Sequence, residues 1–159
     1  MTASRSTVLR PVTRLLVVLT FLVGLSGGVA TTGAAPAQAA ISATTAVHAL
    51  AYARSKNGAP YRYGAAGPSR FDCSGLTKWI YARAGKALPR TAAQQYAATI
   101  RVSAANRRPG DLVFFISRGK VYHVGIYAGA RRIWHSPRTG DHVRLQILWT
   151  TAVTYGRVR

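Results

Sequence analysis

Cys73, His123, His135 and Asp72 are the residues of this 159-residue chain whose types and spacing could do chemistry. Cys73 is the single cysteine, so the chain can form neither an intrachain disulfide nor a CxxC metal pair. It sits in Phe71-Asp72-Cys73-Ser74-Gly75, at the first turn of a predicted helix. Unpaired backbone N–H groups and the helix dipole at that position favour a thiolate. The neighbouring Asp72 carboxylate works against it, because a like charge raises a thiol pKa. A cation must compensate, and His123 is the best placed of the four histidines. It lies centrally in Val121-Tyr122-His123-Val124-Gly125-Ile126-Tyr127, an extended run stiff enough to hold an imidazole against a helix end. A thiol with an imidazole in reach is a nucleophile–base unit for acyl transfer.

Such a pair needs a third polar group to hold the ring in one orientation. His135 lies across the tight Gly129-Ala130 turn from His123, where antiparallel pairing of successive strands would bring it alongside. His142 is the competitor, but Thr139-Gly140-Asp141 before it reads as a turn that leaves it at a strand margin, so His135 is preferred. On period-two geometry His123 shares a face with Val121 and Gly125, and the missing side chain at Gly125 leaves room for a neighbouring group or for substrate. His48 reads as a surface or packing residue of an N-terminal helix. The histidines and the three aspartates lack close metal-ligand spacing, so neither a metal nor another cofactor is expected.

The elements that must position these groups follow from periodicity. Val47, Leu50, Ala51 and Tyr52 recur at helical spacing over 44–56 before Gly58 stops the run. A second helix spans 73–84, with Asp72 as N-cap, Leu76, Trp79 and Ile80 on one face and Gly85 at its end. A third opens at Thr91, with Thr91 and Gln94 at capping-box spacing. After Pro109-Gly110 the pattern turns extended, with short apolar runs at 111–117, 121–128, 131–136, 142–148 and 153–157. Arg118-Gly119-Lys120 and Gly129-Ala130 are tight connections between antiparallel neighbours. Helices followed by strands predict an α+β domain, with the Cys73 helix packed on an antiparallel sheet of about five strands. Trp79, Trp134 and Trp149 could make a carbohydrate-stacking platform, but aromatics in these patterns are expected in the core.

Composition bounds the class. With 48% hydrophobic and 16% charged residues the chain is expected to fold rather than stay disordered. Residues 1–39 have the layout of a secretory signal: Arg5, Arg10 and Arg14, then an apolar run of about a dozen residues, then small residues ending in Ala37-Gln38-Ala39. That run is short of the ~20 residues a spanning helix needs, so cleavage after Ala39 and an extracytoplasmic domain over 40–159 are predicted. Cleavage removes three arginines and no acid, taking the net charge from +19 to +16. The basic residues are spread in ones and twos without a nucleic-acid-binding motif. They predict a diffuse field attracted to anionic envelope polymers, not specific nucleic-acid recognition, on a chain expected to act as a monomer.

Five ordered motifs carry a family resemblance. Pro60-Tyr61-Arg62-Tyr63-Gly64, Phe71-Asp72-Cys73-Ser74-Gly75-Leu76, Leu88-Pro89-Arg90-Thr91 with Gln94 or Gln95, Arg108-Pro109-Gly110-Asp111-Leu112-Val113-Phe114-Phe115 and His123-Val124-Gly125-Ile126-Tyr127 stand in the order found in NlpC-type cell-wall cysteine peptidases. The resemblance covers nearly all of 40–159. It implies a papain-like α+β fold and hydrolysis of peptidoglycan stem peptides, typically between D-Glu and a diamino acid. It also implies Cys73 as nucleophile, His123 as base and His135 as orienting residue. The chain departs from the family where Gly64-Ala65-Ala66-Gly67 replaces the usual pair of adjacent glycines. On this reading the oxyanion is held by the Cys73 backbone N–H and the Tyr63 hydroxyl, while Asp72 and Ser74 face the substrate. The rival expectations are a non-catalytic cationic envelope-binding protein, and a thiol acyltransferase or amidase that keeps the thiol chemistry.

Overall fold

The computed structural model describes residues 42–159, and the expected secretory signal, with its cleavage after Ala39, lies outside the described residues. Three helices come first: α1 (Ala43–Ser55), α2 (Cys73–Arg83) and α3 (Ala92–Ala98). Each starts where a polar side chain satisfies an orphan N–H. Ser42 accepts from the Thr45 amide, Asp72 from the Gly75 amide at 2.7 Å, and Thr91 forms the expected capping box with Gln94. Strands β1 (Ile100–Val102), β2 (Leu112–Ser117), β3 (Lys120–Gly129), β4 (Arg132–His135), β5 (Arg144–Ile147) and β6 (Val153–Arg157) form one antiparallel sheet in the order β1-β6-β2-β3-β4-β5.

The α+β architecture with helices ahead of the sheet is as the sequence predicts, with six strands where about five are expected. The additional strand, β1, has only three residues and pairs with β6, too short a run to carry a period of its own. Residues 142 and 143 do not join β5. Val143 exchanges backbone hydrogen bonds with Gly58 and Ala59, and His142 bridges Pro60, so the loop before α2 captures them. Both predicted tight turns are two-residue connections, with Arg118 and Gly119 at φ 48° and 72° and Ala130 and Arg131 at φ 47° and 54°. Positive φ at both central residues is the turn that matches strand twist, so these hairpins keep β2, β3 and β4 in direct succession.

The core has two parts, one on each face of the sheet. On the helix side Leu76, Ile80 and Tyr81 of α2 are completely buried against Leu112, Phe114, Val124 and Ile126. Leu76 and Ile80 each contribute roughly 1.5–3 kcal/mol by leaving water. α1 enters through Ala49 and Ala53, both fully buried, whereas Val47 is 63% exposed. Small residues rather than the large apolar ones mark the buried stripe of α1. On the other face Val113, Phe115, Tyr127, Ile133, Leu148 and Tyr155 make the second part. β2 alternates between the two, so its first four residues are all buried.

Candidate active site

Cys73 is the first residue of α2, half-buried, and the segment around it is held by the Asp72 carboxylate. That carboxylate caps the helix at Gly75, accepts from the Gly64 amide at 2.9 Å and takes a two-pronged ion pair from Arg90. Arg90 also donates to the Ser74 hydroxyl at 3.1 Å, tying Asp72 and Ser74 into one cluster beside the thiol. The 64–67 loop closes tightly on the helix start. A Cβ on Gly75 would stand 2.1 Å from the Ala65 carbonyl oxygen, so only glycine admits this approach. Tyr61, Tyr63, Asp72, Cys73, Ser74 and Arg90 line a cleft of about 440 Å³. Tyr63 stands 86% exposed at its rim.

His123 lies on β3 and His135 on β4, both buried, with His123 Nε2 2.9 Å from His135 Nδ1. The two-residue turn between their strands sets this pairing. Gly125 permits it, because a Cβ there would stand 3.2 Å from His135 Cβ and 3.0 Å from the Trp134 carbonyl oxygen. The room expected at Gly125 is therefore taken by β4. Val121 does not share the His123 face as strict alternation predicts. Phe115 pairs with His123 but Ile116 pairs with Val121, so Tyr122 is an extra residue in a bulge that turns Val121 to the helix side. His142 is exposed at the margin of β5, and His48 is exposed on α1.

Cys73 packs on the helix-side core and meets β3 at the backbone of the residue after His123. The Val124 backbone N–H is among the groups that favour the Cys73 thiolate by hydrogen bonding, and Val124 directly follows His123. His123 spends Nε2 on His135, and its Nδ1 makes no hydrogen bond among the described residues. A second cleft, of about 420 Å³, opens on the histidine side and is lined by His123, His135, Arg144, Gln146 and Trp149; Tyr122 borders both clefts.

Burial pushes the Cys73 thiol above its ordinary value of 9.0, Asp72 adds to the rise, and hydrogen bonds from Val124 and Ser74 only partly offset it. The dipole at the helix start does not win. Burial, with His135 adding to it, lowers His123 from 6.5 to about 3. Burial is also the main cause that lowers His135 to about 4. At neutral pH the resting pair is thus thiol and neutral imidazole, an arrangement suited to general-base removal of the proton as substrate arrives. Stability must respond as well. An imidazole with a folded pKa below its unfolded one takes up its proton more readily when unfolded. Its contribution is complete above about pH 6.5 and is lost as pH falls toward 3, at up to about 1.4 kcal/mol per pH unit per histidine. Urea midpoints are expected to fall steadily from pH 7 to 4.5, and a His123→Gln/His135→Gln variant is expected to lose most of that slope. A flat wild-type profile would contradict the neutral pair.

Several site residues escape the sequence reading. Arg90 sits in a recognised motif, but nothing local announces its ion pair with a residue 18 positions away. Gln146 accepts from His135 Nε2 at 3.0 Å, and only the β4–β5 register could have located it. Trp134 is core as expected and Trp79 is half-buried against Phe71 and Tyr52. Trp149 is not core: it is 49% exposed, stacks on Phe115 at 4.5 Å and lies 5.4 Å from the His135 ring.

A cysteine opening a helix, packed on an antiparallel sheet that carries a histidine pair, defines a papain-like α+β domain. The NlpC/P60 family model matches residues 58–156, and the chain belongs to that family. A probable endopeptidase p60 of Listeria monocytogenes is 48% identical over 112 residues, 69% of this chain and 23% of the relative. A probable endopeptidase of Corynebacterium glutamicum is 46% identical over 103 residues, 65% of this chain and 48% of the relative. The chain thus spans a quarter to a half of the length of these relatives. The crystal structure of the NlpC/p60 domain of the peptidoglycan hydrolase SagA superposes with a TM-score of 0.65 at 30% identity, covering 72% of this chain and 98% of that one. The peptidoglycan hydrolase RipB of Mycobacterium tuberculosis superposes equally well, at 0.65 and 26% identity, covering 72% of this chain and 64% of that one.

Proposed function

We propose that the protein is a secreted cysteine peptidase that hydrolyses peptidoglycan stem peptides at the bond between D-Glu and the diamino acid. The observation that carries the reading is the buried His123–His135 pair on the sheet against which a helix-start cysteine packs, in a chain of the NlpC/P60 family. Cys73 is the nucleophile, His123 the base and His135 the residue that orients it. As the stem-peptide carbonyl arrives, His123 Nδ1 takes the thiol proton and Sγ bonds to the carbonyl carbon. The Cys73 backbone N–H and the Tyr63 hydroxyl hold the oxyanion. The C–N bond then breaks, the imidazolium gives its proton to the departing amine, and a thioester remains. Water, deprotonated by the same imidazole, attacks that thioester and releases the acid. In this sequence the thiol–imidazole contact forms as substrate binds.

Asp72 and Ser74 line the floor of the thiol cleft and Tyr63 its rim, which supports assigning all three to substrate binding. Because Arg90 already holds both Asp72 oxygens, an incoming ammonium shares the carboxylate with it. Mass spectrometry of fragments released from purified peptidoglycan tests the reading. Stems ending in a free D-Glu support it; fragments cut at another bond, or joined to an added amine, favour the amidase or transferase alternatives.

The proposed partners beyond the stem peptide are anionic wall polymers. Each of the three aspartates is paired with arginine, so the remaining basic side chains of the described residues have no carboxylate of their own. Sedimentation with whole sacculi is expected to weaken steeply between low and high salt, while turnover of a short neutral stem peptide changes far less. Binding indifferent to salt would remove this role from the charge.

A further inference from the structure

The His123–His135 pair continues into a longer chain of hydrogen bonds. His135 Nε2 lies 3.0 Å from Gln146 Oε1, the same oxygen lies 2.9 Å from Arg144 Nε, and the Arg144 guanidinium pairs with Asp141. The register explains the assembly: His135 faces Arg144 and Ile133 faces Gln146 across β4 and β5, so all four side chains share one face.

We propose that Gln146, with its amide oriented by Arg144, is a positioning residue that fixes the tautomers of His135 and His123 so that the lone pair of the base stands on His123 Nδ1. This rests on the reading of His123 as the base. Donor and acceptor capacity fixes each proton along the chain. A guanidinium only donates, so the Gln146 atom facing it is the carbonyl oxygen. That oxygen only accepts, so His135 Nε2 carries the hydrogen. A neutral imidazole has one N–H, so His135 Nδ1 is a bare acceptor. The 2.9 Å contact then requires His123 Nε2 to donate, which leaves its Nδ1 unprotonated and without a partner among the described residues. Both rings are neutral at physiological pH because both are held well below 6.5. When His123 accepts the thiol proton at Nδ1, its Nε2–H keeps the same bond to His135, and nothing along the chain has to reorganise.

Without Arg144 the Gln146 amide is free to turn its NH2 toward His135. That would place the hydrogen on His135 Nδ1, reverse the bond to His123 and cap the base with a proton. A carboxylate at 146 has no donor end and cannot reverse it. The test uses the folded chain at pH 8, with imidazole nitrogens read by long-range proton–nitrogen-15 NMR and steady-state kinetics on one stem peptide. Wild type is expected to show His123 as the single Nε2–H tautomer. Gln146→Met and Arg144→Met are expected to show mixed tautomers and a kcat lowered about ten- to a hundredfold with KM little changed. Adding Gln146→Glu to Arg144→Met is expected to restore both the single tautomer and most of kcat.

His123 found protonated at Nδ1 in wild type overturns the proposal. So does a Gln146→Met enzyme that loses activity with its tautomers unchanged, or one that keeps both. The spectra are recorded without turnover. A correct tautomer pattern in a protein whose hydrolysis ignores His123 would therefore indict the catalytic reading and spare this one.

Discussion

Cys73→Ala is expected to reduce stem-peptide hydrolysis by at least about a thousandfold while the protein stays folded. In the proposed mechanism the substitution removes the atom that bonds to the carbonyl carbon, leaving only binding and the oxyanion donors to give a residual rate over water. Little else changes. Cys73 is half-buried at a helix start whose cap, the Asp72 carboxylate on the Gly75 amide, does not involve the sulfur. Removing a thiol that burial keeps in its neutral form leaves no charge stranded, so thermal melting should move by only a few degrees. Muropeptide release and melting are measured on the same preparation. Undiminished release by the folded variant would require a different nucleophile, and no release by the wild type would return the protein to the non-catalytic binding class.

The second large effect concerns the proposed orienting residue. His135→Ala is expected to lower the hydrolysis rate about 10²- to 10⁴-fold without abolishing it, because nucleophile and base remain but the imidazole loses the acceptor that fixes its ring. His135→Asn and His135→Gln keep an acceptor for His123 Nε2–H and are expected to retain more activity than the alanine variant. His142→Ala should be close to wild type. Its side chain is exposed and its segment is held to the 58–60 loop by backbone bonds that the substitution leaves intact. Rates of the four variants on one stem peptide, with folding checked by circular dichroism, decide the matter. A crippled His142→Ala beside a normal His135→Ala would require rebuilding the site around His142.

What could be read from the sequence divides along the range of the interactions. The helix that begins at Cys73 was legible because its signal is local: a capping aspartate, an apolar stripe and a closing glycine. The hairpins were legible for the same reason, and the two-residue turn after Gly129 sufficed to bring β4 beside β3. Alternation failed at the bulge, where one extra residue, Tyr122, moves Val121 to the other face and no residue type announces it. The exposure of Trp149 and the contact of Gln146 with His135 depend on how the β5 edge and the segment after it settle on the sheet, which neither period nor propensity encodes. Arg90 lay in view within a motif, but its hold on Asp72 arises only when the loop before α3 folds back over the start of α2.

The most direct measurement is capture of the covalent intermediate. Wild-type protein is mixed with peptidoglycan fragments, acid-quenched during turnover, digested and analysed by mass spectrometry. A thioester is expected on the peptide containing Cys73, with the mass of the stem up to and including D-Glu, and it is expected to disappear in Cys73→Ser and Cys73→Ala. An acyl group of different length on Cys73 would contradict the assigned bond, and an adduct on another residue, or steady hydrolysis with no thioester, would contradict the mechanism.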